Sequence, residues 1–250
     1  MEGPSLFLAA EQLAPFVGCR ILAVSGNTKI GKERLEKEKI ISIFSWGKYL
    51  FIQFKTFALR THFLLFGSYR AVVNEKAVTG DYPPKAREPR LALTLKNGHI
   101  EMHSCSLRFI ESPHAQELCD YSIDIMSDLW DPKKALNKLR KHPEEEIDDI
   151  LLDQTIFMGV GNIIKNEALL LANILPTHKI ADLSTHKQKQ IVQFAREHAL
   201  NFYHWRKDFE LKKHYQIYRQ SNCKQCGGKI SRQRTGRTQR LSYICMHCQK

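Results

Sequence analysis

The chain has 250 residues, 43% of them hydrophobic, which allows two or three small domains with cores of their own and excludes a disordered chain. Its formal charge is +12 and its isoelectric point about 9.4, so the expected partner is a polyanion, most simply nucleic acid, with an anionic membrane surface as the weaker option. No stretch approaches the roughly 18–20 apolar residues of a membrane helix and no basic-then-apolar leader opens the chain, so the expectation is a cytoplasmic protein with no membrane partner.

The first four residues are Met1-Glu2-Gly3-Pro4. A free α-amine titrates well below a lysine and is partly neutral and nucleophilic near neutral pH. Glu2 places a carboxyl group one residue away, within reach for proton transfer. Gly3-Pro4 sets up a helix start. On these residues alone, an ordinary frayed terminus remains the competing reading.

Residues 5–17 are helix-forming, with Leu6, Ala9, Leu13 and Phe16 at roughly helical spacing. From about Ile21 to Glu111 the pattern turns to short β-type runs, such as Ile40–Ser45, Tyr49–Phe54 and Leu91–Leu95, separated by Gly, Asn, Lys and Pro. Lys96-Asn97-Gly98 has the form of a hairpin turn. Residues 1–128 are thus expected to be a helix packed on an antiparallel β-sandwich. Within it, Trp46-Gly47-Lys48-Tyr49 puts a lysine at a tight turn. His62-Phe63-Leu64-Leu65-Phe66-Gly67 is either a buried strand or an exposed loop whose side chains could wedge between base pairs.

From Trp130 the period becomes helical. Asp131 is a plausible N-cap with Pro132 at the first helical position. Pro143–Leu152 is expected to start a helix with acids in its first turn, and Ser184 to about His204 a long amphipathic one. Residues 129–206 are thus expected to be all helical. Between these helices, Gly159-Val160-Gly161-Asn162 breaks one and starts another. It is either a plain helical corner or a phosphate site at a helix N-terminus.

Residues 211–250 hold ten Lys or Arg and no Asp or Glu. Cys223-Lys-Gln-Cys226 and Cys245-Met-His-Cys248 are separated by 18 residues. Two such knuckles fit one tetrahedral, closed and therefore structural Zn2+ site; two disulfides are the poorer alternative. Between them, Arg232, Arg234, Arg237 and Arg240 crowd a hairpin suited to phosphates. Residues 207–250 are expected to form this zinc finger. The scattered Cys19, Cys105 and Cys119 are expected to be reduced and structural.

Together these motifs resemble the formamidopyrimidine-DNA glycosylase/endonuclease VIII family of base-excision repair enzymes, closer to the endonuclease VIII branch by the Glu2-Gly3-Pro4 opening. The resemblance runs nearly end to end, through Ala9–Leu13, Gly47-Lys48, His62…Gly67, Leu152-Asp153-Gln154-Thr155, Gly159…Asn162, Glu167-Ala168-Leu169 and the cysteines. It implies an α+β protein with an N-terminal helix and antiparallel β-sandwich, a helix–two-turn–helix domain and a C-terminal four-cysteine zinc finger. It further implies a bifunctional DNA glycosylase and AP lyase, acting as a monomer on damaged duplex DNA. In such enzymes the N-terminal amine attacks C1′, the base leaves, and β,δ-elimination cuts the strand.

Carried over, Met1 supplies the amine, Glu2 the general acid/base, and Lys48 a phosphate contact at the lesion. His62, Leu64, Leu65 and Phe66 match the DNA-contacting loop that fills the gap left by the extruded nucleotide. Asn162 and Arg240 grip phosphates; Arg237 is at the wrong distance from Cys245. The chain departs from the pattern at three places. Met1 stands where the family has proline, and a methionine before glutamate is normally retained. Its primary amine gives an imine that must be protonated, so lyase chemistry should be weaker or more pH-dependent. Ser5 replaces a common acid, and Leu64 a common polar residue. No purine-capping loop is identifiable between about Trp205 and Tyr218, which favours oxidised pyrimidines. The competing expectations are a zinc-dependent DNA-damage binder with impaired chemistry and a general DNA- or RNA-binding zinc protein.

Overall fold

The helix that opens the chain, α1 (Gly3–Leu13), starts where Glu2 leaves an extended backbone and its carbonyl accepts the N–H groups of Ser5 and Leu6. Pro4 sits in the first turn, where its missing N–H costs nothing. Pro15 stops the α-helix, and Ala14–Phe16 tightens into a 3₁₀ turn. Leu6, Ala9, Leu13 and Phe16 all have zero exposure, as their spacing predicts. Each contributes on the order of 1–3 kcal/mol of burial according to size. The computed structural model describes residues 1–80 and 88–250, which divide into two compact units, Met1–Asp120 and Tyr121–Lys250.

In the first unit, α1 covers a seven-stranded antiparallel sheet of β1 (Ile21–Ser25), β2 (Ser42–Trp46), β3 (Tyr49–Gln53), β4 (Ala58–Val73), β5 (Lys76–Thr79), β6 (Leu91–Leu95) and β7 (Gly98–Ile110). The order is β1-β6-β7-β4-β3-β2, with β5 on β4. The expected antiparallel β domain is therefore one hydrogen-bonded network, because β4 and β7 are long enough to run through both halves. Lys96-Asn97 is the expected two-residue turn, joining Leu95 to its partner Gly98.

The pairing of β4 with β7 breaks between Phe63 and Ser68. Phe63 pairs with Cys105 and Ser68 with His103, so Leu64–Gly67 stand opposite Ser104 alone. The run is thus not the buried strand that its hydrophobicity allows. Leu64, Leu65 and Phe66 bulge out and are 49, 54 and 69% exposed. Ser104 adopts the left-handed conformation, at φ 48°. A Cβ on Gly67 would lie 2.5 Å from the Ser104 carbonyl oxygen, so this bulge requires glycine.

The second unit is helical as far as residue 207, with α2 (Pro132–Leu139), α3 (Ile147–Leu152), α4 (Asn162–Leu171) and α5 (Thr185–Lys207), and ends in the hairpin β8 (Ser231–Thr235) and β9 (Arg240–Ile244). Asp131 caps α2 by accepting the N–H groups of Lys133 and Lys134. Ser184 caps α5 through Lys187 N–H. The helix expected from Pro143 begins only at Ile147, because Glu146 is extended and bridges to Lys179. Its acids Asp148 and Asp149 are buried rather than facing water. Ile150, Phe157, Ile164, Ala168, Ile191, Ala195 and Phe202 form the helical core. A smaller cluster of Leu170, Ile217, Ile230 and Tyr243 joins α4 to the cysteine segment.

Candidate nucleic-acid interface and reaction centre

In the first unit the tight turn between β2 and β3 is the two residues Gly47-Lys48, with Trp46 paired to Tyr49. Gly47 has φ +52° and is buried, so the half-buried Lys48 stands at the tip. Tyr49 pairs across to His62 on β4, their rings 5.3 Å apart, and the Arg60 guanidinium lies over the Tyr49 ring at 4.7 Å. Burial holds the His62 imidazole below its usual range, helped by the positive charges of Lys48, the N-terminal amine and Arg60. These surroundings favour the neutral imidazole. That the amine and Lys48 both act on His62 puts Met1, Lys48 and His62 in one neighbourhood. Glu2, only 8% exposed, is the residue next to the amine. Met1 itself packs against the edge of the core.

In the second unit, the Asp153-Gln154-Thr155 motif is the scaffold of a corner. Asp153 Oδ1 accepts the Thr155 N–H and hydroxyl, both at 2.7 Å. The Gln154 amide donates to the carbonyls of Leu152 and Val160 and accepts the Gly159 N–H. Gly159 has φ +100°, and Gly161 caps α4, whose first residue is Asn162. The Asn162 side chain donates to Leu241 O at 2.9 Å, while its own Oδ1 is buried with no partner among the described residues. An orphaned acceptor at a helix N-terminus is an unusual arrangement that accounts for itself if a ligand or water donates to it.

A polar network then fastens α3 and α4 to the hairpin. The Lys165 ammonium, with zero exposure, donates to Ser242 Oγ at 2.8 Å and lies 3.9 Å from Asp148 Oδ2. The Thr235 hydroxyl bonds to both Asp148 and Ser242. Asn166 Oδ1 accepts the Tyr243 N–H at 2.8 Å. The Glu167 carboxylate accepts the N–H groups of Gln216, Ile217 and Tyr218 at 2.9–3.2 Å. Burial pushes the Glu167 carboxyl up, and these N–H groups pull it back.

Of the hairpin arginines, Arg237 is tied to Glu145 at 2.5 Å and lies 3.5 Å from Asp149. Arg232 lies over the Tyr243 ring. Arg240 is exposed at the start of β9.

The four thiols of Cys223, Cys226, Cys245 and Cys248 converge, with all sulfurs within 4.8 Å of one another. Sulfurs of a zinc tetrahedron with Zn–S near 2.3 Å stand roughly 3.8 Å apart; the Cys226–Cys245 and Cys223–Cys248 pairs are at 3.4 and 3.9 Å. Gly227, at φ +75°, donates to Cys223 O, and the Gly228 N–H points to Cys226 Sγ at 3.4 Å. The donor set and its N–H groups fit a metal ion. Cys105, by contrast, is buried, and burial pushes its thiol up to about 12, which leaves it inert.

The sequence profile of the formamidopyrimidine-DNA glycosylase H2TH domain matches residues 123–199. Endonuclease 8-like 3 of Mus musculus is 34% identical over 207 residues, covering 82% of this chain and 33% of that protein. Endonuclease 8 of Pectobacterium carotovorum subsp. carotovorum (strain PC1) is 26% identical over 268 residues, 100% of this chain and 99% of that one. Lactococcus lactis formamidopyrimidine-DNA glycosylase, solved non-covalently bound to DNA containing an AP site, superposes with a TM-score of 0.84 at 22% identity over the whole of both chains. The chain belongs to the formamidopyrimidine-DNA glycosylase/endonuclease VIII family. It spans about a third of the length of the Endonuclease 8-like 3 proteins that it matches.

For a family member of this fold, the structure gathers the sequence-predicted residues into two groups. Met1, Glu2, Lys48 and His62 lie in the first unit, with Leu64, Leu65 and Phe66 on its bulge. Asn162, Arg240 and the four cysteines lie in the second, where Asn162 and Arg240 are linked through Leu241. The buried network of Asp148, Lys165, Thr235 and Ser242 was missed. Its signal was a lysine and an acid pair interrupting apolar runs, at Ile163–Leu169 and Ile147–Leu152.

Proposed function

We propose that this protein is a base-excision-repair DNA glycosylase with AP lyase activity, acting as a monomer on oxidised bases, pyrimidines before purines, in duplex DNA. The observation that carries this reading is that the N-terminal amine and Lys48 share the neighbourhood of His62, with the buried Glu2 beside the amine.

In the proposed reaction the Met1 amine attacks C1′ of the damaged nucleotide. The glycosidic bond breaks, its electron pair leaves with the base, and the base takes up a proton. Glu2 supplies or removes protons at the sugar. The nitrogen now joined to C1′ loses a proton. Its electron pair forms the C=N bond as the C1′–O4′ bond breaks, and O4′ takes up a proton, leaving the opened sugar held as a protonated Schiff base. Loss of a C2′ proton then expels the 3′ phosphate, and a second elimination expels the 5′ phosphate. Lys48, Asn162 and Arg240 hold phosphates through charge-assisted or polar contacts. Leu64, Leu65 and Phe66 enter the space left by the extruded nucleotide. Cys223, Cys226, Cys245 and Cys248 would hold Zn2+, which supplies a structural crosslink to the finger and no chemistry at the sugar.

The test is borohydride trapping on DNA with an abasic site, read by intact mass and peptide mapping. A covalent adduct at the α-amine of Met1 is expected. Glu2→Gln should lose base removal while keeping DNA affinity. Tight binding to abasic DNA with neither adduct nor nicking would replace this reading with that of a damage-binding protein lacking the chemistry. The Met1 side chain in the place of proline, packed against the core, is what favours that second reading.

A further inference from the structure

The turn that precedes Arg240 is built on a carboxylate. Residues Gly236–Gln239 join β8 to β9, and Thr235 pairs with Arg240 across the base. Asp149 of α3, only 7% exposed, accepts the Arg237 N–H at 2.8 Å and the Thr238 N–H at 3.4 Å. Its Oδ2 is also 3.5 Å from the Arg237 guanidinium. Gly236 has φ +66°, and a Cβ there would meet Asp149 Oδ1 at 2.5 Å and Asp148 Oδ1 at 2.9 Å. The neighbouring Asp148 holds the other side of the same base through the Thr235 hydroxyl. A turn with two N–H groups closed on an anion is an anion nest, and here the anion is the protein's own.

We propose that Asp149 is a positioning residue for Arg240: its carboxylate caps the β8–β9 turn and so fixes where β9 begins, and with it the direction from which the Arg240 guanidinium meets a phosphate. The proposal rests on the reading of Arg240 as a phosphate contact. Arg237 and Arg240 thereby have different tasks although they lie three residues apart. Arg237 is spent on the cap, and Arg240 is presented by it. An acidic residue in a cationic binding element then strengthens anion binding, the opposite of what its charge alone would do.

The sign of that effect is the test. Binding of the full chain to a duplex carrying a stable abasic-site analogue is measured against salt for wild type, Asp149→Ala, Asp149→Asn, Arg240→Ala and the Asp149→Ala/Arg240→Ala pair. Arg240→Ala should weaken binding about tenfold and lower the salt slope by about one. Asp149→Ala should reproduce both losses, and the pair should lose little more than either alone. Asp149→Asn, which keeps an oxygen for the Arg237 N–H, should retain most of the affinity. Tighter binding by Asp149→Ala, or losses that add in the pair, overturns the proposal while leaving Arg240 as a phosphate contact. No effect of Arg240→Ala removes the contact and the positioning role together. Should Asp149→Ala fail to fold, Gly236→Ala strains the same cap from the other side. It should be non-additive with Arg240→Ala, and additivity there overturns the proposal equally.

Discussion

Replacing Lys165 with methionine removes a charge from a place that water does not reach. The ammonium has zero exposure, donates to Ser242 Oγ at 2.8 Å and lies 3.9 Å from Asp148 Oδ2. At that distance, with an effective dielectric constant near 20, the attraction is about 4 kcal/mol. Lys165→Met keeps the stem's packing but strands the Asp148 carboxylate, whose Oδ1 already has no partner among the described residues. Breaking a buried pair from one side costs about 3–5 kcal/mol, and the second unit should lose about that much.

The loss should depend on pH. Burial already raises the Asp148 carboxyl; the Thr235 hydroxyl and then Lys165 hold it down. Without Lys165 it rises further. A carboxyl whose folded pKa lies above its unfolded value binds its proton more tightly in the folded state. The variant should therefore be relatively more stable at low pH and lose stability as pH rises through that folded pKa. Urea unfolding followed by fluorescence of Trp130 and Trp205 is the assay, repeated in the Asp148→Asn background, where most of the loss should be recovered. A loss under about 1 kcal/mol, or a double variant no more stable than Lys165→Met, would refute the reasoning.

Three other outcomes are expected. Changing Leu64, Leu65 and Phe66 together to alanine should leave thermal stability nearly unchanged, because all three are exposed. Binding to duplex with an abasic site should nevertheless weaken; unchanged affinity would remove the bulge from the interface. His198 is buried, its Nε2 has no partner among the described residues, and burial lowers its pKa from 6.5 to about 4. The unfolded chain thus binds a proton that the folded one refuses, and roughly 3 kcal/mol should be lost as pH falls from about 6.5 to 4. His198→Phe should flatten that part of the stability profile. Chelation should expose amides at 223–228 and 245–248 to hydrogen exchange. Thr235 and Tyr243 should stay protected, because Asp148 holds the turn end of the hairpin and Asn166 the strand near its open end without metal.

The motifs legible in the sequence were those whose chemistry is local. Each Cys-x-x-Cys knuckle, a proline in the first turn of a helix, Asp131 as N-cap and the apolar stripe of Leu6, Ala9, Leu13 and Phe16 all depend on neighbours a few residues away. Backbone geometry alone brings those neighbours together. Helix periodicity likewise found α5 to within a few residues. The start of α3 was not legible, because Glu146 is held extended by Lys179, a residue 33 positions on.

The sequence by itself thus determined the α+β class, the cationic character, the cysteine cluster and the residues of the two candidate groups. Only the tertiary structure decided where those residues lie and what they touch. Leu64-Leu65-Phe66 has the composition of a buried strand, and its exposure follows from the register break against Ser104, a partner about forty positions away. Asp148, Asp149 and Lys165 are charged residues in helical stretches, and nothing local shows that they are buried. They are buried because Thr235, Ser242 and the turn at Gly236 satisfy them across some 70–90 residues of chain. A charge can be buried only when another part of the fold completes its hydrogen bonds, and that completion is a property of the folded chain rather than of any one stretch. The same holds for the opening amine, whose meaning depends on Lys48 and His62 being close to it.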